Sequence, residues 1–323
     1  MSELLTFNSD IMEIIVKNLD YESHLIVGLT CKELYNILKT TNDNKNLSGS
    51  LKYLTSTLSL LKYAHFNKCP LNLKIIKNIT NVTNKESLEC LKYCHENGLV
   101  LDELVFSCVA SRGHLECMKY LHDNGCPWSE DTCSCAAKNG HLECLKYLHK
   151  NGCDWNNWAC AYAAGNGHLE CLKYLHENGC PWLKWTWTCG YAAEGGQLEC
   201  LKYCHENGCQ WSESTCYGAA KNGQLECLKY CHENGCPWSE ATCLFATLHG
   251  HLECLKYAHE NGCPFAEDTC SLASGNGHLE CLKYAHENGC PFAEDTCSLA
   301  SGNGHLECLK YCRDNGCPEM NLY

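Results

Sequence analysis

The chain has 323 residues, 45% of them hydrophobic, a formal charge of −13 and 32 cysteines. Residues 1–85 hold ten Lys against seven Asp or Glu, and the remainder holds 15 basic against 31 acidic residues. An acidic array of this kind argues against a nucleic-acid backbone or an anionic membrane surface as ligand, because both are held by clustered Lys and Arg. No stretch approaches the roughly 18 to 20 apolar residues of a membrane span.

The N-terminal segment has Glu3, Asp10 and Glu13 where a signal peptide needs a basic start and an apolar run, so a cytoplasmic protein is expected. Ser9-Asp10 can cap a first helix whose apolar face is Ile11, Ile14, Ile15 and Leu19. A second short helix carries Leu25, Leu29 and Cys31, and a third carries Leu34, Ile37 and Leu38. Three short amphipathic helices in about 35 residues make too small a core to stand alone. This pattern resembles an F-box: Asp10, Ile11, Glu13, Ile14, Leu19, Cys31 and Lys32 fall in step with it. Phe7-Asn8 stands where that family has Leu-Pro, and Leu34 where Trp is usual. The resemblance implies docking to the Skp-type linker of a cullin–RING ubiquitin ligase through Asp10, Ile11, Ile14, Ile15, Leu19, Leu25, Leu29 and Cys31. The other reading open at this point is a helical cap for the rest of the chain. The expected divisions are residues 1–42 for this segment, 43–85 for degenerate first repeats or linker, and 86–323 for a repeat array.

Leu58-Ser59-Leu60-Leu61-Lys62-Tyr63-Ala64-His65 is a worn copy of a motif that becomes regular further on. From residue 86 a Leu-Glu-Cys-Leu-Lys-Tyr core followed by His-Glu-Asn-Gly-Cys recurs. The residue two before each core is Glu86, Gly113, Gly140, Gly167, Gly196, Gly223, Gly250, Gly277 or Gly304, so each step is 27 residues except one of 29. A fixed period in the range of about 20 to 50 residues indicates a solenoid, whose units bury their apolar faces only by stacking.

In the unit around Gly140, Ser129-Glu130-Asp131 suits a helix start. A first helix then carries Cys133, Ala136 and Ala137 at helical spacing, and Asn139-Gly140 is a turn signal. A second helix from His141 carries the stripe Leu142, Cys144, Leu145, Tyr147 and Leu148, and ends at Asn151-Gly152. No strand pattern appears. Gly140-His141-Leu142-Glu143-Cys144-Leu145-Lys146-Tyr147-Leu148 and Thr132-Cys133-Ser134-Cys135-Ala136-Ala137 resemble the ankyrin repeat. The period falls short of that family's usual 33 residues by the length of its β-hairpin finger. The resemblance implies an all-α, helix–turn–helix solenoid with fingers shortened or absent, and a protein-binding, non-catalytic role. Short Cys-rich versions are similar to those in ankyrin proteins of giant DNA viruses of amoebae, which would place the chain in host cytoplasm.

Thirty of the cysteines belong to the repeat. Equivalent positions in stacked helices lie roughly 8 to 10 Å apart, whereas a disulfide needs Cα atoms within about 7 Å. Most of these residues therefore read as small buried apolar side chains kept reduced. His149 and its counterparts lie four residues before the closing Cys, which invites zinc. Three facts oppose that reading. His95 is followed by Leu99, the second His row becomes Gln197 and Gln224, and no Cys-x-x-Cys occurs. No metal, cofactor or catalytic residue is assigned, because repetition spreads this chemistry evenly where a catalytic site is one place.

The aromatics separate into two sets. Trp128, Trp155, Trp182, Trp211, Trp238, Phe265 and Phe292 keep the period and read as packing between repeats. Trp158, Trp185 and Trp187 break it, beside the only two-residue insertion. Trp158 and Trp187 stand where other units have Asp131, Ser214, Ala241, Asp268 and Asp295. With Tyr162, Tyr191, Tyr217, Leu244 and Phe245 they form the candidate partner-binding set; repacking around the insertion is the competing explanation. The expected function is an adaptor: the array holds a partner protein and the N-terminal segment presents it to a ubiquitin ligase. A scaffold or decoy without a ligase link, and a thiol-rich zinc protein, are the alternatives.

Overall fold

The computed structural model describes residues 58, 61, 62, 65, 71–73, 76, 77, 84–182 and 187–318. The F-box-like segment, with Asp10, Ile11, Ile14, Ile15, Leu19, Leu25, Leu29 and Cys31, lies outside the described residues, as does Trp185. Among the described residues there are seventeen α-helices and no strand. The chain divides into two compact units, Met1–Trp128 and Ser129–Tyr323.

In the first unit, α1 spans Asn84–Glu96, α2 Glu103–Ala110 and α3 Leu115–Asp123. The Asp102 carboxylate caps α2 by accepting from the Val105 N–H at 2.9 Å. Helix α2 buries Val105, Phe106, Val109 and Ala110, and Phe106 meets Trp128 edge-on at 5.3 Å. Leu61 and Ile76 are fully buried, so the worn copy upstream contributes to this core. Its His65 Nδ1 is hydrogen-bonded to the Tyr93 hydroxyl at 2.9 Å. The same bond joins His95 to Tyr120 at 2.8 Å.

The second unit is seven helix pairs. The first helices are α4 (Glu130–Lys138), α6 (Trp158–Gly165), α8 (Trp187–Glu194), α10 (Glu213–Lys221), α12 (Glu240–Leu248), α14 (Thr269–Gly275) and α16 (Thr296–Gly302). The second helices are α5 (Leu142–Lys150), α7 (Leu169–Glu177), α9 (Leu198–Glu206), α11 (Leu225–Glu233), α13 (Leu252–Glu260), α15 (Leu279–Glu287) and α17 (Leu306–Asp314). Each first helix packs on its second helix and on the first helix of the next repeat. The first helices make the closer stack, because their contact faces are Ala, Cys, Thr and Gly: Cys133, Ala136 and Ala137 in α4, and Ala159, Cys160, Ala163 and Ala164 in α6, are fully buried. The second helices supply the larger apolar side chains; Leu145, Leu172, Leu201, Leu228, Leu255 and Leu282 form a row with no exposure.

Both helices of a repeat end the same way. In the Gly140 repeat, the Gly140 N–H donates to Ala137 O at 3.2 Å and the His141 N–H to Ala136 O at 3.0 Å. Twelve residues on, Gly152 donates to His149 O and Cys153 to Leu148 O. These paired bonds close a helix with its last glycine in the left-handed region, which Gly enters without a Cβ penalty. The first glycine has a second reason to be Gly. A Cβ on Gly140 would lie 2.5 Å from the His168 Nδ1 of the next repeat, so the next imidazole rests on bare backbone. The expected helix–turn–helix unit is therefore present, with the connector 151–157 in place of any strand.

The exposed Glu–Lys pairs at three-residue spacing on α5, α7, α9, α11, α13 and α15, such as Glu143–Lys146 at 2.8 Å, decorate this frame. Pairs so exposed are screened by solvent and add little. The frame rests on the buried Leu, Ala and Cys rows.

Candidate interaction face

Two aromatic systems occupy the second unit. The first is a ladder along the second helices. His149 lies on Trp155 with ring centroids 3.9 Å apart, and its Nδ1 is hydrogen-bonded to the Tyr174 hydroxyl of the next repeat at 2.9 Å. The arrangement recurs at His176 with Trp182 and Tyr203, His205 with Trp211 and Tyr230, and His232 with Trp238 and Tyr257. His259 and His286 repeat it with Phe265 and Phe292 in the stacking position. Each imidazole thus has one face and one nitrogen occupied by structure. Burial first, with nearby charges after it, pushes the partner phenols Tyr174, Tyr203, Tyr230, Tyr257, Tyr284 and Tyr311 above their usual range.

The thiols also follow rows. Burial first, and the neighbouring Glu after it, pushes Cys144 up to about 12 and Cys171, Cys200, Cys227, Cys254 and Cys281 up to about 11. These are protonated at neutral pH and poor nucleophiles. The first-helix and closing cysteines form short relays: the Cys133 thiol donates to the Cys153 sulfur at 3.5 Å, and Cys153 donates to Ser129 O at 3.4 Å. That relay ties the connector to the helix and satisfies a backbone carbonyl.

The second aromatic system does not repeat. Trp158 and Tyr162, one turn apart on α6, are stacked at 5.5 Å. Trp187 and Tyr191 hold the equivalent places on α8, 6.4 Å apart. Across the two helices Trp158 meets Trp187 at 5.9 Å and Tyr191 at 6.1 Å, and Tyr162 meets Tyr191 at 6.4 Å. All four rings therefore form one contiguous patch. Trp187 is 50% exposed, and Trp158, Tyr162 and Tyr191 are half-buried, each shielding its neighbours. Tyr217 on α10 and Phe245 on α12 make a separate pair at 5.1 Å, with Leu244 half-buried beside Phe245 in sequence.

The pattern of large residues alone did not point to three neighbours of this patch. The Lys138 ammonium of α4 lies over the Tyr162 ring at 5.3 Å, a cation–π contact that extends the patch by one repeat. Gly165 makes room for Tyr191: a Cβ there would sit 3.1 Å from the Tyr191 Cβ. Gly190 leaves open space, since a Cβ there would meet nothing within 4 Å. The available signal was the residue at the end of the first helix, Lys138 in one repeat and Gly165 in the next. Burial first, then Tyr162 and Glu194, raises the Tyr191 phenol, which is a neutral hydroxyl.

Chemically the patch offers flat apolar rings, two phenol hydroxyls and one flanking cation. That is equipment for binding a surface, with no nucleophile or base in a shared pocket. Among the described residues no helix is long and apolar enough to cross a membrane.

Comparison with known proteins bears on the fold. A three-copy ankyrin-repeat model matches residues 104–184 and 133–214, and a second ankyrin-repeat model matches residues 216–259. No curated protein sequence matches the chain. The crystal structure of the human ASB11 ankyrin repeat domain is similar over 55% of this chain and 96% of that one, with 20% identity and a TM-score of 0.47. The helix pairs and turns described above, together with the two family-model matches, identify the repeats within residues 104–214 and 216–259 as ankyrin repeats, a protein–protein interaction module.

Proposed function

We propose that this chain is a non-catalytic adaptor whose repeat array captures a partner protein through the patch of Trp158, Tyr162, Trp187 and Tyr191. One observation carries this reading: four partly exposed rings in contact, two of them at helix starts where other repeats place Asp131, Ser214, Ala241, Asp268 or Asp295. Tryptophan and tyrosine give a large rigid contact area, and interface energy concentrates in such residues. Trp185 and the pair Tyr217–Phe245, with Leu244, extend the same proposal. Ankyrin repeats are generally a non-catalytic module, and the buried, protonated second-helix thiols are consistent with that.

The N-terminal segment gives the adaptor its second end. Its F-box-like residues, Asp10, Ile11, Ile14, Ile15, Leu19, Leu25, Leu29 and Cys31, suit docking to a Skp-type linker. Two modules on one chain then raise the effective concentration of the captured protein near a ligase. The acidic balance of the array, in which the recurring Lys146, Lys173, Lys202, Lys229, Lys256 and Lys283 are each paired with a Glu, supports a protein partner over nucleic acid.

Proximity labelling with the full chain and with Trp158→Ala/Trp187→Ala tests the patch. Proteins labelled by the first and lost with the second, at unchanged melting temperature, are the expected partners. A large fall in melting temperature would make these rings core. Deletion of residues 1–45 tests the ligase end: retention of a Skp-type linker by the intact chain and its loss on deletion is expected, and no retention by the intact chain would overturn it.

A further inference from the structure

The closing cysteine of each repeat is fixed by the backbone. Cys236 donates its N–H to Cys231 O at 2.9 Å, and Cys317 to Cys312 O at 3.0 Å. These bonds fold the connector back onto the end of the second helix. The first-helix cysteine approaches from the other side, at Cys216 on α10 and Cys297 on α16. In both repeats the second-helix position is also Cys, at 231 and 312. The sulfurs of Cys216, Cys231 and Cys236 all lie within 4.8 Å of one another, and so do those of Cys297, Cys312 and Cys317. All six residues are buried and none is in a disulfide.

Folding does not require the third thiol. The position of Cys231 and Cys312 is Leu121, Leu148 or Leu175 in three other repeats and Ala258 or Ala285 in two more, and those side chains are buried equally well. Four repeats place a soft donor where an alkyl group suffices, at Cys94, Cys204, Cys231 and Cys312, and at Cys231 and Cys312 it completes a triangle of sulfur.

We infer that each triangle, Cys216–Cys231–Cys236 and Cys297–Cys312–Cys317, is a binding site for one three-coordinate soft metal ion, of which Cu(I) is the fitting case. A trigonal ion with metal–sulfur bonds of about 2.3 Å holds its sulfurs roughly 4 Å apart, so the triangles need to close by less than about 1 Å. Thiolate donors select soft ions, Cu(I) among them. Zinc takes four ligands in a structural site, and among the described residues neither cluster includes a His, Asp or Glu as a fourth. Coordination moves no electron; the ion arrives as Cu(I) and thiol protons leave to solvent. The site carries a cost at Cys236, whose thiol now donates to Ser212 O at 3.2 Å. The Cys317 thiol donates over a longer distance to its neighbour's carbonyl, Pro318 O at 3.7 Å. Cys297 and Cys317 also keep 6% and 7% exposure, against 0% and 4% at Cys216 and Cys236, so the second triangle is expected to load first. The preceding repeat carries Cys189, Cys204 and Cys209 at the same three positions.

The test is an anaerobic titration of the full chain with Cu(I) supplied as its acetonitrile complex, followed by challenge with a Cu(I) chelator. Two ions per chain should resist the challenge, with X-ray absorption showing sulfur alone in the first shell. Cys312→Ala should remove the first ion to load and Cys231→Ala the other, while Cys144→Ala, a buried thiol outside both triangles, removes neither. Alanine already occupies the position of Cys231 and Cys312 at Ala258 and Ala285, and unchanged helicity of each variant confirms folding. Unchanged stoichiometry in the Cys231→Ala/Cys312→Ala variant would overturn the assignment. So would displacement of the copper by an equal amount of zinc, or binding spread over many thiols with no fixed number.

Discussion

The second-helix ladder and the aromatic patch on α6 and α8 use the same kinds of ring for opposite purposes. In the ladder every ring has an assigned partner. His205 stacks on Trp211 at 3.7 Å and bonds Tyr230 at 3.1 Å, and the same bonds recur through His286. Such a ladder spends one face and one nitrogen of each imidazole on structure, and its regularity is what makes identical repeats such as 251–277 and 278–304 workable. On the patch, Trp187 keeps half its surface and its ring meets those of Trp158 and Tyr191. Its neighbours have no fixed period, and glycines at 165 and 190 vary the relief around them. On the proposed function, repetition marks residues spent on folding and irregularity marks residues left for a partner.

The sharpest way to break this comparison is to remove the bare backbone on which the ladder rests. Gly250 has φ +75, and a Cβ there would stand 2.5 Å from His278 Nδ1. Gly250→Ala should cost about 3 kcal/mol, combining left-handed strain with overpacking. Gly262 has φ +89 and open space around its missing Cβ, so Gly262→Ala should cost only about 1 kcal/mol. Urea unfolding of the two variants measures the difference; equal costs would show that the imidazole yields freely.

Next in size is the patch. Trp187→Ala should weaken a partner identified by labelling by about 2 kcal/mol, or roughly thirtyfold, with the melting temperature unchanged. Titration calorimetry and thermal melts separate the two quantities. A variant that melts early while binding normally would move Trp187 into the frame.

His205→Ala makes the converse case. It deletes one stack and one inter-repeat hydrogen bond, and should lower stability by about 1 to 2 kcal/mol while leaving partner affinity intact below the melting range. Loss of affinity in the still-folded variant would show that ladder and patch are coupled.

The smallest effect is expected at His249, which stands where other repeats have Asn139, Asn166, Asn222, Asn276 or Asn303. Burial first, then Lys221, His251 and His278, lowers its pKa from the ordinary 6.5. The folded state then resists protonation that the unfolded state accepts. No penalty exists well above pH 6.5, and stability is lost as pH falls from there through the lowered value. His249→Asn should flatten that acid-side slope in pH-dependent melts. An unchanged slope would show that the acid sensitivity does not arise at His249.

The helix pairs were legible because each carries its own punctuation. Asn139-Gly140 and Asn151-Gly152 end the helices, and the stripe of Leu142, Cys144, Leu145 and Leu148 is helical whatever it packs against. Trp158 and Trp187 were also visible as residues out of period. Their mutual contact was not, because 29 residues separate them and only stacking of α6 on α8 brings the rings together. The expectation that polar helix-start positions leave such side chains exposed holds for Trp187 but only in part for Trp158, which Trp187, Tyr162 and Tyr191 surround.

By itself the sequence determined the period, the all-helical unit, the acidity and the set of residues that depart from the repeat, since these depend on local propensity and spacing along the chain. The tertiary structure alone decided which sulfurs meet. Cys216, Cys231 and Cys236 are separated by fifteen and five residues, a spacing that signals no metal motif. Only the fold of the connector onto α11, and of α11 onto α10, turns that spacing into a triangle. The same distinction explains the histidines. Their even spacing resembled a ligand set, and packing gave each one a ring and a hydroxyl from its neighbours.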